Sequence, residues 1–205
     1  MLLDARVQAI VDELTQRIKG DGERLRAGAD RYSDDMVQAA GPDAAGFLNL
    51  LIRAKDARLI VEVGTSVGYT ALYMGDAARA TGGRVIGTEV IEKKHAQAVE
   101  YLRRAGLDGI VEVHRGDARD VILALDAGSI DIAFLDAQKS DYCEQFDLLL
   151  PRMKVGGCIV GDNITYPERI KEMMQRYQAH VRAVLNVRSH YLSVGSGLEL
   201  SVRIA

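Results

Sequence analysis

The stretch Leu59-Ile-Val-Glu-Val-Gly-Thr-Ser-Val-Gly-Tyr-Thr-Ala71 constrains the fold of this chain more than any other. Leu59 to Val63 is a short apolar run rich in β-branched residues, which is how a strand buried on both faces reads. Gly64 and Gly68 break the run, and Thr70 to Arg79 continues with a helical composition. Strand, glycine turn and helix open a nucleotide-binding βαβ unit. The glycines let the backbone turn sharply and let a ligand lie against it. The spacing is Glu62-x-Gly64-x-x-x-Gly68, and Ser66 stands where a dinucleotide fingerprint needs its second glycine. Glu62, just inside the strand end, would repel a phosphate and favour a cationic or amine-bearing ligand. Both observations argue against a NAD-dependent dehydrogenase.

Strand and helix patterns alternate from Arg58 onward. Strands are expected at 84–90, 110–114 and 130–136, with a fifth after the glycine turn at 155–157 and ending at Asp162-Asn163. Helices are expected at 91–104, 118–125, 143–150 and 168–179. The basic residues of the 91–104 segment read as a solvated face. Segments 181–187, 191–194 and 198–204 read as two closing strands around Gly195-Ser-Gly197. Before this core, apolar residues recur at helical spacing over 4–19, with Asp4 as N-cap and Gly20 as stop. Residues 21–42 read as a polar loop or short helix. Gly41-Pro42-Asp43 starts a second helix with Phe47, Leu48, Leu50, Leu51 and Ile52 as its apolar face. The fold class is therefore α/β: a Rossmann-like, doubly wound, mostly parallel seven-stranded sheet with helices on both faces and a C-terminal antiparallel hairpin.

A length of 205 residues fits one domain, 1–205, in which 1–35 form an N-terminal helical extension. The net charge of -3 gives no general electrostatic capture of nucleic acid. Cys143 and Cys158 lack metal or redox spacing and read as reduced thiols, which points to the cytoplasm. The N-terminus lacks the pattern of a signal peptide, and no apolar run is long enough to span a membrane.

In open α/β sheets, ligands bind outside the carboxyl ends of the strands. Glu62, Glu89, Asp117, Asp136, Asp162 and Asn163 all fall there. Glu89 lies at the ribose-binding position of a βαβ unit, and the Gly116-Asp117-Ala118 turn offers an acceptor and a backbone N–H to an adenine edge. Asp136, Asp162 and Asn163 form a hard oxygen set suited to Mg²⁺, Mn²⁺ or Ca²⁺ if their strands are neighbours. Strand-end caps and an Asx turn are the alternative reading. Lys139, three residues after Asp136, is a candidate general base, because a nearby cation disfavours its ammonium form. A helix-N-terminal surface lysine is the alternative there.

These residues resemble the cation-dependent O-methyltransferases, the catechol and caffeoyl-CoA O-methyltransferase family of class I S-adenosylmethionine-dependent enzymes. The resemblance rests on Glu62-x-Gly64-Thr65-x-x-Gly68-Tyr69-Thr70, Glu89, Gly116-Asp117-Ala118, Leu135-Asp136-Ala137-x-Lys139-x-x-Tyr142 and Gly161-Asp162-Asn163, within residues 36–204. It implies that Asp136, Asp162 and Asn163 bind the cation, that Asp136 also lies near the cofactor, and that Lys139 is the base. It places Glu62, Gly64, Thr65, Gly68, Thr70, Glu89, Asp117 and Ala118 around S-adenosylmethionine. It also implies a small aromatic hydroxyl substrate and a homodimer. Relatives acting on phenylpropanoids carry a tryptophan after the Asp-Asn pair, whereas this chain has Ile164-Thr-Tyr-Pro-Glu168 and no tryptophan. A tRNA hydroxyuridine O-methyltransferase, with Arg24, Arg26, Arg31, Arg169, Lys171 and Arg176 as a basic patch, is the competing enzyme reading. A non-catalytic cofactor-binding protein is the competing class.

Overall fold

A computed structural model describes residues 3–28, 30 and 34–205, so Met1, Leu2 and Arg31 lie outside the described residues. The chain forms α1 (Ala5–Arg26), α2 (Gly41–Ala54), β1 (Leu59–Val63), α3 (Tyr69–Thr81), β2 (Arg84–Glu89), α4 (Glu92–Arg104) and β3 (Val111–Arg115). It continues with α5 (Ala118–Ala124), β4 (Ile130–Leu135), α6 (Tyr142–Leu149), β5 (Met153–Gly161), α7 (Lys171–Ala183), β6 (Val187–Leu192) and β7 (Leu198–Arg203). The sheet order is β3-β2-β1-β4-β5-β7-β6. β7 runs antiparallel to both β5 and β6, and the other pairings are parallel.

Apolar side chains from alternate strand positions feed two cores, one on each face. One holds Ile60, Ile132, Phe134 and Val160 against α1 to α4. The other holds Val61, Val63, Leu135 and Ile159 against α5 to α7. Burial on both faces explains why β1 reads as an unbroken apolar run. α3 is buried nearly all round because α1 and α2 cover the side turned away from the sheet. Buried Asp76 joins these three helices: it accepts from Arg53 at 2.7 Å, from Asn49 at 3.3 Å and from the Asp4 backbone N–H at 3.1 Å.

Several local expectations are corrected by tertiary contacts. Asp4 does cap α1, but Gly20 does not stop it. The added turn carries Asp21, whose buried carboxylate accepts from Val37 N–H at 2.9 Å and from Arg24. The buried face of α2 is Ala44, Ala45, Leu48, Asn49 and Ile52, while Leu50 is 60% exposed. Leu50 lies two residues from Leu48 and so points to the far side of a 3.6-residue helix. β5 begins at Met153 and runs through the glycine pair, with a register shift opposite Ile130 and Ile132. Residues 181–183 finish α7 instead of starting a strand, because Val181 packs into the second core. The 91–104 helix is not solvated throughout: Lys94 is 1% exposed.

The order of strands reverses between β1 and β4, which opens the crevice at their carboxyl ends. Val63 pairs with Leu135, and Leu135 pairs with Gly161. The tips of β1, β4 and β5 therefore end level. Gly64 turns there with φ +93°, and a Cβ on it would lie 2.6 Å from the Asp136 carbonyl oxygen. Gly64→Ala is expected to destabilise the protein by more than the roughly 1–2 kcal/mol of a left-handed backbone alone, because the β4 backbone must also move. Thermal unfolding of the variant checks this.

Candidate active site

Parallel pairing of β4 with β5 makes neighbours of the two acidic tips. Asp162 N–H donates to Leu135 O at 3.0 Å, and Asp136 N–H donates to Val63 O at 2.9 Å. Asp162 is fully buried, and among the described residues neither of its carboxylate oxygens has a hydrogen-bond partner. Burial pushes its pKa up to about 7, with the Asp136 charge adding to the rise. Gly161 leaves room for the Tyr177 ring, since a Cβ there would lie 2.9 Å from it. Tyr177 stacks edge-on to Tyr142 at 5.2 Å and to Phe146 at 6.2 Å. This aromatic floor keeps water from Asp162, which is the physical reason its charged form is disfavoured.

Asp136 does have a partner. Lys139 Nζ donates to its Oδ1 at 2.8 Å and to the Tyr142 hydroxyl at 2.7 Å. Tyr142 in turn donates to Leu135 O at 2.6 Å. Burial raises the Asp136 pKa, and Lys139 opposes that rise. Lys139 is thus a half-enclosed group aimed at the acidic tips, contrary to the surface-lysine alternative. Asn163 follows with φ +63°, a conformation asparagine tolerates better than most residues. Beyond it, Ile164 N–H and Thr165 N–H donate to Gly197 O and Ser196 O, both at 3.0 Å. The β6–β7 turn therefore braces the segment that follows the Asp162-Asn163 pair.

The β1 side of the crevice gathers a second polar set. Glu62 is 1% exposed, and its Oε2 has no partner. Burial pushes its pKa up to about 8, with the Thr65 hydroxyl opposing the rise and the Asp136 and Glu89 charges adding to it. Among the described residues the buried Ser66 hydroxyl likewise has no partner. Glu89 accepts from Ser66 N–H and from Ile91 N–H, each at 2.8 Å. Gly68, with φ +92°, precedes the first turn of α3, where Thr70 is buried. Asp117 caps α5 by accepting from Arg119 N–H at 2.9 Å. The Arg119 guanidinium, hydrogen-bonded to it, holds its carboxyl below the usual range. Ala118 is buried beside it.

The structure therefore brings Glu62, Gly64, Thr65, Glu89, Asp136 and Asp162 to one crevice, with Lys139 and Asn163 at its β4–β5 end. Asp117 and Ala118 lie at the β3 end, where Gly116 N–H donates to Glu89 O at 3.0 Å. Among the described residues no three His, Cys, Asp or Glu side chains gather as a metal site. A cation reading here rests on two carboxylates and one amide. Asp162, a buried acid with two unpartnered oxygens, fits that reading better than it fits a strand cap. Tyr142 and Lys94 were not assigned roles by sequence reasoning. For Tyr142 the signal was its spacing three residues after Lys139; for Lys94 no local signal existed.

Between pH 4.5 and about 8 the buried Glu62 keeps a proton that the unfolded chain has lost, so stability falls across that interval and levels off above it. Glu62→Gln is expected to flatten that fall, which melting temperatures between pH 5 and pH 9 will show.

A family model described as O-methyltransferase matches residues 23–204, and the chain belongs to that family. It is an O-methyltransferase of the S-adenosylmethionine-dependent class. The catechol O-methyltransferase of Niastella koreensis is 36% identical over 150 residues, covering 65% of this chain and 67% of the relative. The caffeoyl-CoA O-methyltransferase of Mesembryanthemum crystallinum is 26% identical over 189 residues, covering 82% and 74%. Among solved structures, the O-methyltransferase from Bacillus cereus in complex with SAH is 26% identical, with a TM-score of 0.72 over 92% of this chain and 90% of that one. No described helix is long and apolar enough to cross a membrane.

Proposed function

We propose that this enzyme methylates a hydroxyl of a small catechol-like aromatic acceptor, with a divalent cation held by Asp136, Asp162 and Asn163. The observation that carries this reading is the buried, unpartnered Asp162 carboxylate beside the Asp136–Lys139 pair. When bound there, a divalent cation lowers the pKa of an acceptor hydroxyl and disfavours the ammonium form of Lys139.

The chain's own residues do the rest. Lys139 Nζ takes the hydroxyl proton, and Tyr142 and Asp136 hold that nitrogen in place. The oxygen then attacks in line with the methyl group: an O–C bond forms, the C–S bond breaks, and S-adenosylhomocysteine leaves. Glu62 offers a carboxylate to the amino group of the cofactor, and Glu89 accepts from the ribose hydroxyls. Gly64 and Gly68 let the cofactor lie against the backbone, with Thr65 and Thr70 beside it, while Asp117 and Ala118 face its adenine. The buried walls position the reactants and exclude water.

A catechol is the acceptor class that a hard cation next to a base selects, because two vicinal oxygens chelate and one reacts. The names of the catechol and caffeoyl-CoA relatives support the same class. The tRNA reading receives less support, since Arg24 pairs with Asp21 and Lys171 with Glu168. A homodimer in the cytoplasm completes the proposal, and light scattering tests the dimer. Methyl transfer from labelled S-adenosylmethionine to a catechol panel, with EDTA and with added Mg²⁺, tests the reaction. Mg²⁺-dependent product is expected. Equal product in EDTA would remove the cation from the mechanism.

A further inference from the structure

Lys94 is a buried charged residue beside the crevice that the proposed chemistry leaves unexplained. It sits in the first turn of α4, where the positive end of the helix dipole disfavours a cation. Its side chain is among the largest fully buried ones in the protein. Buried ammonium groups normally lie against a carboxylate. Among the described residues its hydrogen-bond partner is instead the neutral Gln38 Oε1, at 3.0 Å. Burial lowers its pKa, while the nearby Glu89 and Asp34 carboxylates oppose that shift. An ammonium has three N–H donors, and among the described residues one is used.

Two further observations say what the site is built around. The segment 34–40, between α1 and α2, is strapped to α4 and α1 at successive residues. Asp35 is bonded through its side chain to Lys93 and through its carbonyl to Arg17, which also donates to Gln97 at 2.9 Å. Met36 is buried, Val37 N–H is held by Asp21, and Gln38 is held by Lys94. Secondly, Glu89, the residue read above as the ribose acceptor, accepts from the N–H of Ile91, the N-cap of α4, and its charge acts on Lys94. A ribose hydroxyl both donates and accepts. A carboxylate satisfies only its hydrogen, so a complete diol site needs a donor as well.

We propose that Lys94 is a cofactor-binding residue: its ammonium donates to a ribose hydroxyl oxygen alongside Glu89, and through Gln38 it holds the 34–40 strap over that ribose. The proposal rests on the reading that S-adenosylmethionine lies with its ribose at Glu89. The strap then closes as part of the cofactor site, and the buried cation gains its missing acceptor when the cofactor binds.

The test is calorimetric binding of S-adenosylhomocysteine and its 2′-deoxy and 3′-deoxy analogues to the full chain, with melting temperatures taken without ligand. Lys94→Met keeps an unbranched side chain, one atom shorter, and removes the charge. It is expected to weaken S-adenosylhomocysteine by about tenfold or more, the loss of a hydrogen bond from a charged donor. The unliganded melting temperature should hold or rise, because a buried charge has gone. The loss should shrink for one of the deoxy analogues, since a contact removed once cannot be removed again. Gln38→Ala, an exposed strap position, should weaken binding by about threefold, and it provides the test if Lys94→Met fails to fold. Binding within about twofold of the native protein in both variants would overturn the proposal. So would a loss in Lys94→Met that is equal for all three ligands and matched by a lower unliganded melting temperature. No binding of S-adenosylhomocysteine by the native chain would overturn the Glu89 reading itself, and the variants would then not be the cause.

Discussion

Replacing Asp162 with asparagine is expected to raise the melting temperature of the cation-free protein at pH 8 while removing cation-dependent methyl transfer. Both effects come from the same two oxygens. Neither has a hydrogen-bond partner, the side chain is fully buried, and its pKa is pushed up to about 7. At pH 8 the folded protein must keep that charge over an aromatic floor, at a cost that asparagine avoids. A gain of about 1 kcal/mol would raise the melting temperature by about 2–4 °C in a chain of this size. Activity should fall on the order of 10³-fold, because a cation contributes several kcal/mol of charge stabilisation in such reactions. Mn²⁺ binding followed by electron paramagnetic resonance gives a readout independent of turnover. A variant that is less stable, yet still binds Mn²⁺ and turns over normally, would show Asp162 to be a structural cap.

Lys139→Met should lower kcat by about 10²–10⁴-fold, the usual range for a general base. Cofactor binding should change much less, because Lys139 lies at the β4–β5 end of the crevice and Glu62 and Glu89 at the β1–β2 end. Removing the ammonium also leaves the Asp136 carboxylate buried without its 2.8 Å partner. The variant should therefore lose stability as pH rises, and added Mg²⁺ should restore part of it. The pH dependence of kcat separates the two roles. A base of this kind produces a rising limb in the native enzyme that the variant lacks, whereas a purely structural lysine would leave the shape of the profile unchanged.

Much of the site was legible because class I architecture places it at strand ends, and strand ends are marked locally. Glu62 lies just inside the end of a short apolar run, and Glu89, Asp136 and Asp162 stand at the ends of theirs, so unbroken apolar runs with polar residues at their ends marked these positions as candidates. The boundaries that went wrong did so where a tertiary contact outweighed a local preference. α1 passes through Gly20 because Asp21 is needed by Val37. Val181 stays helical because a buried position against the second core rewards it. Lys94 was invisible for the same reason: two adjacent lysines in a charged helix look alike until the 34–40 strap covers one and leaves the other in solvent.

The alternation of strands and helices, the glycine turn after β1 and the acids available at each strand tip are all legible locally. These are properties of short segments, set by side-chain shape and backbone freedom. Tertiary structure alone decided which tips meet. Only the β1-β4-β5 order and the register Val63–Leu135–Gly161 bring Asp136 and Asp162 level with each other and with the Gly64 turn. Only packing of Tyr142, Phe146 and Tyr177 on the α5–α7 face removes the water that would otherwise make the Asp162 charge inexpensive. Charge and burial become chemistry when they coincide, and their coincidence depends on residues far apart in the chain.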